Sequence, residues 1–357
     1  MDWVRGEKLG SGSFGTVNLA ISRSQSSQIP QLMAVKSCGV SLSDSLMNEK
    51  LILDELKDCP EIIRCFGENF THENGEKLYN VLLEYTSGGS LADKVKNCRD
   101  NRLPESEVRR YTKALLKGLN YIHKFGYVHC DIKLQNILMG KNGGVKIADF
   151  GLAKRVGREK MGDFGCELRG SPLYMSPEMA NRNEQGPPAD IWALGCVVAE
   201  MVSGASPWRC FGLAELLMRI GVHGEKPEVP SNLSSGGKDF LGKCFVRDPS
   251  KRWTAEMLLN HSFVDDQEFD DTVTSKGRRD EDNPSTSPRC PLDFPDCAIT
   301  SLPSPEYSSK SSSWFNEEAN LTTGSKSIPP AERLQGLVSD HQPRWVRSGP
   351  DDWLTVR

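Results

Sequence analysis

Short segments with strand-like patterns dominate the first quarter of the chain. They are predicted at residues 3–9, 17–21, 32–35, 62–66 and 79–85. Residues 44–56 (DSLMNEKLILDEL) instead have helical spacing, with Leu46, Leu53 and Leu56 on one side. The turn-rich sequence HENGEK separates the last two strands. The pattern predicts a β-rich first section that contains one main helix.

Helical spacing takes over after Gly88-Gly89. Pro104 occupies a favoured first helical position and begins a long amphipathic helix. Its apolar residues recur every three or four positions and are Val108, Tyr111, Leu115, Leu119 and Ile122. A second apolar run, residues 191–202, contains Glu200 and is shorter than the roughly 20 residues of a membrane span, so it is predicted to be a buried core helix. The predicted fold class is therefore α+β, with a mostly helical second section.

Composition changes near Asp265. Beyond it, stretches such as NPSTSPRCPLDFPD and PSPEYSSKSSS are rich in Ser, Pro and acidic residues. Such a sequence buries too little apolar surface to offset the entropy lost on ordering, so residues 265–357 are predicted to form a Ser/Pro-rich, largely disordered regulatory tail. Aromatic islands interrupt it at residues 314–315, 345–346 and 351–357. They either dock on the folded domain or are solvated residues without a role.

Overall composition restricts the classes of function. The formal net charge of the 357-residue chain is −4, which disfavours nucleic-acid binding. Its 11 cysteines show neither CxxC pairs nor His–Cys metal spacing, and the first residues, MDWVRGEKLGSG, carry no apolar signal segment. We therefore expect reduced thiols, no membrane insertion, and a location in the cytoplasm, the nucleus or both.

The sequence GSGSFGTV, residues 10–17, is a candidate phosphate cradle. Gly10, Gly12 and Gly15 allow a strand–turn–strand to close over phosphates, with backbone N–H groups facing the anion and no Cβ in the way. The pattern alone is weak, since a dinucleotide-binding turn or a plain hairpin would give it too. Here a strand follows it, whereas the dinucleotide-binding turn leads into a helix, and this difference favours the phosphate cradle.

Lys36 follows an apolar strand in the sequence MAVK. A lysine at a strand end is usually a solvated surface charge, but here Glu49 lies in the following helix. An ion pair between them would hold the ammonium group against the α- and β-phosphates of a nucleotide. Asp44, Asp54 and Glu55 are rival candidates on that helix; Glu49 is preferred because it precedes the apolar run LIL.

The strongest signal is the stretch VHCDIKLQNILMGKNGGVKIADFG, residues 128–151. Asp131 is placed to accept the proton of an attacking hydroxyl, and Lys133 to neutralise a transferring phosphoryl group. Asn136 and Asp149 offer the hard oxygen ligands that Mg²⁺ prefers. A lone Asp or Asn is most often a cap or turn residue, but H-x-D-x-K-x-x-N followed by D-F-G indicates phosphoryl transfer.

These motifs, in this order, resemble a eukaryotic protein kinase catalytic domain over residues 3–264. The matching pieces are GSGSFGTV, MAVK, LEYTSGGSL, HCDIKLQN, DFG, GSPLYMSPE, DIWALGC and DPSKRW. Lys133, two residues after Asp131, and Ser171 in GSPLYMSPE are similar to residues of Ser/Thr-specific kinases. The phrases GTVNLA, HCDIKLQNIL and DIWALGCVVAEMVSG and the closing DDWLTVR resemble plant mitogen-activated protein (MAP) kinase kinase kinases of the MEKK-like group.

The resemblance implies a bilobal fold and a site for ATP and Mg²⁺. The catalytic domain would span residues 1–264, with an N-lobe over about 1–84 and a C-lobe over about 88–264. The ATP-binding residues would be Leu9, Gly10, Ser11, Gly12, Ser13, Phe14, Gly15, Val17, Ala34, Lys36, Glu49, Leu83, Glu84 and Thr86. The catalytic residues would be Asp131, Lys133, Asn136 and Ser171, and the metal ligands would be Asn136 and Asp149.

The resemblance also assigns roles around adenine. Val17 would pack on the base beside Ala34, and Leu83 would be the gatekeeper. Glu84 and Thr86 would offer backbone groups to the base.

Further residues would support the catalytic loop. Glu178 would pair with Arg252, and Asp190 would brace the loop from the helix that begins there. The hydroxyl of Ser171 would orient Asp131 and Lys133 during substrate binding. Because every chemical position is filled, a catalytically dead kinase fold is disfavoured.

Two positions depart from the family pattern. Cys130 stands where arginine is usual, and Ser176 opens SPE in place of the commoner APE. In kinases switched on by loop phosphorylation that arginine binds the phosphate, and a cysteine cannot make this charge-assisted pair. Between Asp149 and Ser171 the loop contains no Ser, Thr or Tyr. The joint absence of the arginine and of a phosphoacceptor predicts a kinase that is active without loop phosphorylation. The alternative is that Cys130 is a neutral substitution that arose by drift.

Acidic residues of the loop offer a substitute for the missing phosphate. Asp163 or Glu167 would supply a fixed negative charge by pairing with Lys154, Arg155 or Arg158. Control of the enzyme would then come from abundance, the tail or a partner.

The sequence therefore predicts a Ser/Thr kinase that phosphorylates MAP kinase kinases in a signalling cascade. The alternative is a kinase-fold scaffold that acts through protein–protein contacts. Ser287-Pro288 and Ser304-Pro305 fit feedback phosphorylation by a downstream MAP kinase, although Ser-Pro pairs also occur by chance in such tails. The resemblance to this plant group implies a role in stress and hormone signalling, including abscisic acid responses.

Overall fold

The computed structural model describes residues 2–12, 15–23, 29–140, 142–157, 170–182, 184–209 and 212–265, together with two short strands near the end of the chain. Some sequence predictions lie outside these residues; they concern Ser13, Phe14, Arg158, Asp163, Glu167, Ser287, Ser304, Trp314, Phe315 and most of the tail. Within the described ranges, no helix combines the length and apolar character of a membrane span.

The first section folds into a five-stranded antiparallel sheet and one long helix. The strands are β1 (Trp3–Gly12), β2 (Gly15–Ser22), β3 (Leu32–Gly39), β4 (Cys65–Glu73) and β5 (Glu76–Glu84), in the spatial order β1-β2-β3-β5-β4. Helix α1 (Asp44–Glu55) lies between β3 and β4 in the chain. Asn74 and Gly75 join β4 to β5 with φ angles of +51° and +83°, the positive values that a tight Asn-Gly hairpin turn requires.

Alternation along β3 decides which side chains face the rest of the domain. Met33 and Val35 lie on one face of the sheet, in a small apolar cluster of their own. Ala34 lies on the opposite face and packs into the main core. Since side chains alternate along a strand, Lys36 projects from the same face as Ala34, towards the main core.

Helices make up most of the second section. They are α2 (Leu91–Asn97), α3 (Glu105–Lys124), α4 (Pro177–Arg182), α5 (Pro187–Ser203), α6 (Leu213–Leu217), α7 (Ser235–Cys244) and α8 (Ala255–Leu259). Helix α5 is buried along nearly its whole length because apolar residues surround its axis, and α3 packs on it. At its centre the rings of Trp192 and Phe245 meet edge-on at 5.2 Å. The α+β fold class, with a β-rich section followed by a helical one, is confirmed.

Two short two-stranded sheets carry the catalytic stretch. Their strands are β6 (Tyr127–Val128), β7 (Ile137–Met139), β8 (Val145–Ile147) and β9 (Lys154–Arg155). Strand β6 pairs with β9, and β7 pairs with β8. Asn136 immediately precedes β7 and Asp149 follows β8 by one intervening residue, so the β7–β8 hairpin brings both candidate metal ligands to the same end.

The structure corrects two predicted strand positions. β4 begins at Cys65 instead of residue 62, because Ile62 forms only an isolated bridge to Ile147. Lys36 lies within β3 instead of at its end, because the pairing with β5 continues to Gly39.

Two predicted helix starts also move. Pro104 precedes α3 with extended backbone, at φ −58° and ψ 142°, so the helix begins at Glu105. Helix α5 begins at Pro187, which places Asp190 within its first turn.

Two segments of the tail pair with each other. Trp345–Val346 (β10) and Thr355–Val356 (β11) form a short antiparallel ladder in which Trp345 lies opposite Val356. Two predicted aromatic islands are therefore joined by backbone pairing. Their docking on the folded domain stays a prediction.

Candidate active site

Lys36 is held between two carboxylates. Its Nζ lies 2.6 Å from Glu49 Oε2 and 2.7 Å from Asp149 Oδ1. β3, α1 and the segment after β8 each supply one of these residues. The side chains of Lys36 and Glu49 are 9% and 1% exposed, whereas that of Asp149 is 36% exposed. The ion pair expected from the sequence is formed, and Asp149 is its member on the solvent side.

The charges in this cluster depend on one another. Burial alone would lower the pKa of Lys36, but Asp149 and Glu49 together raise it above its ordinary value. Burial would raise the pKa of Asp149, but Lys36 outweighs burial and lowers it to about 2. Burial and the charge of Asp149 raise the pKa of Glu49. Lys36 is therefore the group that keeps two neighbouring carboxylates ionised.

Phe150 fixes the cluster to the catalytic loop. Its backbone N–H donates to Glu49 Oε1 at 3.1 Å, and its ring is fully buried. That ring meets the imidazole of His129 edge-on, with centroids 4.8 Å apart. The α1 helix, the segment after β8 and the catalytic loop are thus packed as one unit.

Asp131 has both carboxylate oxygens engaged. Oδ1 accepts hydrogen bonds from the backbone N–H and the hydroxyl of Ser171, at 3.0 and 2.8 Å. Oδ2 lies 2.8 Å from Lys133 Nζ and accepts from Asn136 Nδ2 at 2.9 Å. Lys133 also donates to the Ser171 hydroxyl at 2.9 Å. The four predicted catalytic side chains therefore form one network that fixes the rotamer of Asp131.

Asp190 supports a strained backbone beneath this network. Cys130 has a φ of +67°, which is uncommon for a residue with a side chain. Asp190 accepts the backbone N–H groups of His129 and Cys130, at 2.9 and 3.0 Å, and lies 2.9 Å from His123 Nε2. These bonds compensate for the local strain and hold the loop that presents Asp131.

The polar groups at the end of the β7–β8 hairpin fit a hard divalent cation. Asn136 donates through Nδ2 to the carbonyl and the carboxylate of Asp131, which leaves its amide oxygen as the atom for a metal. The low pKa of Asp149 keeps its partly exposed carboxylate ionised. An amide oxygen and a carboxylate, completed by phosphate oxygens and water, suit Mg²⁺.

The apolar members of the predicted ATP site also come together. Ala34 and Leu83 are opposite each other on β3 and β5, and Leu9 and Val17 pack against the same core. Gly15, at φ +137°, lies so close to β3 that an added Cβ would be 2.3 Å from a backbone oxygen there. The remaining described members are Gly10, Ser11 and Gly12 on β1, Glu84 at the end of β5, and Thr86 just after it.

The predicted supporting pair is also present. Arg252 donates to both oxygens of Glu178, at 2.7 and 2.9 Å, and both side chains are buried.

Arg155 pairs with Glu55 on α1 at 3.1 Å, a partner that the sequence did not suggest. Ser176, the first residue of SPE, is completely buried.

Gly170 is a residue that sequence reasoning missed. It has a φ of +93°, and a Cβ at this position would lie 2.6 Å from the carbonyl oxygen of Cys130. Cys130 is 7% exposed, and its thiol donates to the carbonyl of Val128 at 3.6 Å. The end of the activation loop is therefore packed against the catalytic loop at the position where the family usually has arginine.

Glu200 is a second missed residue. It lies on α5, is half-buried, and accepts a hydrogen bond from the hydroxyl of Tyr174 in the loop before α4. Burial raises its pKa to about 7, although the Tyr174 hydrogen bond acts in the opposite direction. A single acidic residue within the apolar run 191–202 was the available signal, because a buried carboxyl group requires a partner.

The raised pKa of Glu200 predicts a pH-dependent stability. Unfolding returns this pKa to about 4.5, so the folded state binds the extra proton between the two values. The contribution of Glu200 to stability is therefore fully present below about pH 4.5, falls by about 3 kcal/mol as the pH rises to about 7, and then levels off. Glu200→Gln keeps an acceptor for Tyr174 but cannot ionise, so the pH-dependent contribution of this residue to the unfolding free energy should disappear.

Urea unfolding at about pH 5 and pH 8 measures the effect. We expect the difference in unfolding free energy between the two pH values to be smaller for Glu200→Gln than for the wild type. Glu256→Gln, at a side chain that is 64% exposed, serves as the matched control. Parallel pH profiles for the wild type and Glu200→Gln would contradict the prediction.

Comparisons with known proteins agree with this geometry. A family model described as the protein kinase domain matches residues 3–264. The chain is 50% identical over 371 aligned residues to mitogen-activated protein kinase kinase kinase 20 of Arabidopsis thaliana, and the alignment covers all of both chains. It is 42% identical to kinase kinase kinase 17 of the same plant, over 74% of this chain and 70% of that one. It is also 42% identical to kinase kinase kinase 18, over 75% and 79%. The chain therefore belongs to the protein kinase family, as a protein serine/threonine kinase of the MAP kinase kinase kinase type.

Proposed function

We propose that this kinase transfers the γ-phosphoryl group of Mg-ATP to Ser or Thr residues of MAP kinase kinases. The observation that carries the proposal is the network in which Ser171, Lys133 and Asn136 hold both oxygens of Asp131. The substrate class is supported by the names of the relatives, all of them MAP kinase kinase kinases.

Each residue of the site has a defined task in this reaction. Asp131 orients the attacking hydroxyl and accepts its proton, and Lys133 stabilises charge on the transferring group. Lys36, fixed by Glu49, holds the α- and β-phosphates. Magnesium, when held by Asn136 and Asp149, supplies positive charge to the phosphate oxygens. Positioning and charge stabilisation account for most of the expected rate enhancement.

A phosphorylation assay tests the proposal directly. The purified full-length chain is incubated with labelled ATP, Mg²⁺ and a panel of kinase-dead MAP kinase kinases. We expect label on Ser or Thr of at least one member and none on tyrosine. Absence of transfer to the whole panel, from a chain that labels a generic protein substrate, would contradict the assigned substrate class.

We also propose that the catalytic domain is active without activation-loop phosphorylation. The sequence contains no phosphoacceptor between residues 152 and 170, and Cys130 replaces the phosphate-binding arginine. The Lys36–Glu49 ion pair and the hydrogen bond from the Ser171 hydroxyl to Asp131 are made between side chains and involve no phosphate group. These contacts support an assembled site that needs no loop phosphate.

Phosphatase treatment provides the test of this second proposal. The full-length chain should keep at least half of its activity on a kinase-dead MAP kinase kinase after complete dephosphorylation. Cys130→Arg should change that activity less than about threefold, because no phosphate is present to pair with the new charge. Loss of most activity on dephosphorylation, with recovery after rephosphorylation, would overturn the proposal.

Regulation and location complete the proposed function. Feedback by a downstream MAP kinase would act at Ser287 and Ser304, and phosphopeptide mapping with and without that kinase tests it.

The composition supports a cytoplasmic or nuclear location, and fluorescence imaging of the tagged chain tests it. The stress and abscisic acid roles rest on the family resemblance, and kinase activity measured after each treatment tests them.

A further inference from the structure

One face of α1 contacts the backbone that follows Phe150. The Ser45 hydroxyl donates to the carbonyl of Gly151 at 2.8 Å. One turn later, Asn48 Nδ2 donates to the carbonyl of Ala153 at 3.2 Å. Residues three or four apart lie on the same side of a helix, so Ser45 shares one side with Asn48 and with Glu49.

This face forms a continuous connection between α1 and the start of the activation loop. Glu49 accepts the N–H of Phe150 at 3.1 Å, and at the far end of the helix Glu55 pairs with Arg155 at 3.1 Å. Together with the bonds of Ser45 and Asn48, these contacts span α1 from its first turn to its last. The side-chain donors Ser45 and Asn48 therefore continue the connection that Glu49 makes.

The first turn of α1 depends on such contacts for its stability. Ser43 at its N-cap makes no side-chain capping hydrogen bond. An uncapped first turn frays more easily, and fraying there would loosen the segment that leads to Glu49. Ser45 lies in this turn, so its bond to Gly151 holds the end of the helix that lacks a cap.

The partners on the other side are backbone carbonyl groups. Their ability to accept a hydrogen bond does not depend on phosphorylation of the loop. The connection therefore supplies, from the N-lobe side, an anchorage that other kinases obtain from a loop phosphate, and it needs no arginine at residue 130.

We propose that Ser45 and Asn48 are positioning residues that hold α1 against Gly151 and Ala153, and thereby keep Glu49 on Lys36 in the unphosphorylated kinase. The inference rests on the proposed phosphorylation-independent activity. It assigns that property to two side chains outside the predicted ATP-binding and catalytic residues.

The test compares variants that remove each donor in the full-length chain. Ser45→Ala deletes the hydroxyl, and Asn48→Asp keeps the size but turns a donor into an acceptor that faces a carbonyl. We expect each to lower kcat/KM for ATP about threefold to tenfold, and the double variant about thirtyfold. KM for the MAP kinase kinase should stay within twofold, because its site is not altered. Ser45→Thr, which keeps the hydroxyl, should restore the activity.

Leu51→Ala is the matched control, since this α1 side chain is 61% exposed and lies away from the connection. Wild-type kinetics in the double variant would overturn the inference, as would an equal loss in Leu51→Ala or a rise in both KM values. Each measurement is made after dephosphorylation. A dephosphorylated wild type that is inactive would overturn the underlying proposal, whereas an active wild type with unaffected variants would overturn only the role of Ser45 and Asn48.

Discussion

Replacing Lys36 with methionine is expected to lower the rate of phosphoryl transfer to a MAP kinase kinase roughly 10²- to 10³-fold, the size of loss that follows removal of a preorganised charge-stabilising donor. Methionine keeps much of the side-chain length but lacks the ammonium group that lies 2.6 Å from Glu49 and 2.7 Å from Asp149. The phosphate chain then loses its fixed cation.

The same substitution also changes the charge of the neighbours. Glu49 is 1% exposed, and burial and Asp149 already raise its pKa. Without Lys36 its pKa rises further, because no positive charge then offsets burial and the neighbouring carboxylate of Asp149. A protonated Glu49 is a weaker acceptor for the N–H of Phe150, so part of the lost activity comes from altered structure.

Asp131→Asn separates the loss of chemistry from the change in structure. It leaves the Lys36–Glu49 pair in place and removes the proton acceptor, for which we expect a loss of roughly 10²- to 10⁴-fold. Initial rates of label transfer and thermal unfolding curves are measured for both variants. A rate above a tenth of wild type in Asp131→Asn would contradict the assigned base. If the chain acts as a scaffold, both variants should still activate the downstream MAP kinase in cells.

Local sequence patterns predicted the fold wherever one periodicity dominated. The spacing of apolar residues gave α1 and α3, and the apolar run around residue 195 gave α5. The later part of β4 was missed, because its residues alternate between exposed and half-buried positions instead of forming an apolar run. Only the pairing with β5 makes that segment a strand, and pairing is not a local property.

The candidate site was predictable where the partners are side chains at fixed motif spacings. Among the four acidic residues of α1, the helix turns Glu49 inwards, while Asp54 pairs with Lys50 and Glu55 with Arg155. The apolar run beside Glu49 was enough to select it. Asp131 and Ser171 were likewise selected by motifs.

Three of the missed residues lie against backbone carbonyl groups. Ser45, Asn48 and Gly170 each meet a carbonyl oxygen of a distant segment. A carbonyl is present at every position of a chain, so no sequence pattern marks the partner. Only the folded arrangement of α1, the catalytic loop and the activation loop reveals these contacts.

Gly170 provides the second large effect, because it packs the end of the activation loop against the catalytic loop. Gly170→Ala should lower kcat about 10²-fold, the loss expected when a catalytic group moves by about 1 Å. The new Cβ would lie 2.6 Å from the carbonyl oxygen of Cys130, and Asp190 holds Cys130 through a 3.0 Å hydrogen bond. The strain is therefore relieved by movement of Ser171, which carries both hydrogen bonds to Asp131 Oδ1.

Gly75→Ala is the control that isolates this contact. Gly75 has a similar φ, +83°, but a Cβ there meets no atom within 4 Å. It should show the cost of a left-handed backbone, about 1 kcal/mol in unfolding free energy, with kcat unchanged. Kinetics on a kinase-dead MAP kinase kinase and urea unfolding measure the two variants together. Equal kcat values in Gly170→Ala and Gly75→Ala would show that the approach of Gly170 to Cys130 does not position Asp131. A selective loss in Gly170→Ala would instead mean that backbone packing at Cys130 connects the activation loop to the catalytic loop. In loop-phosphorylated kinases, a phosphate–arginine pair makes that connection.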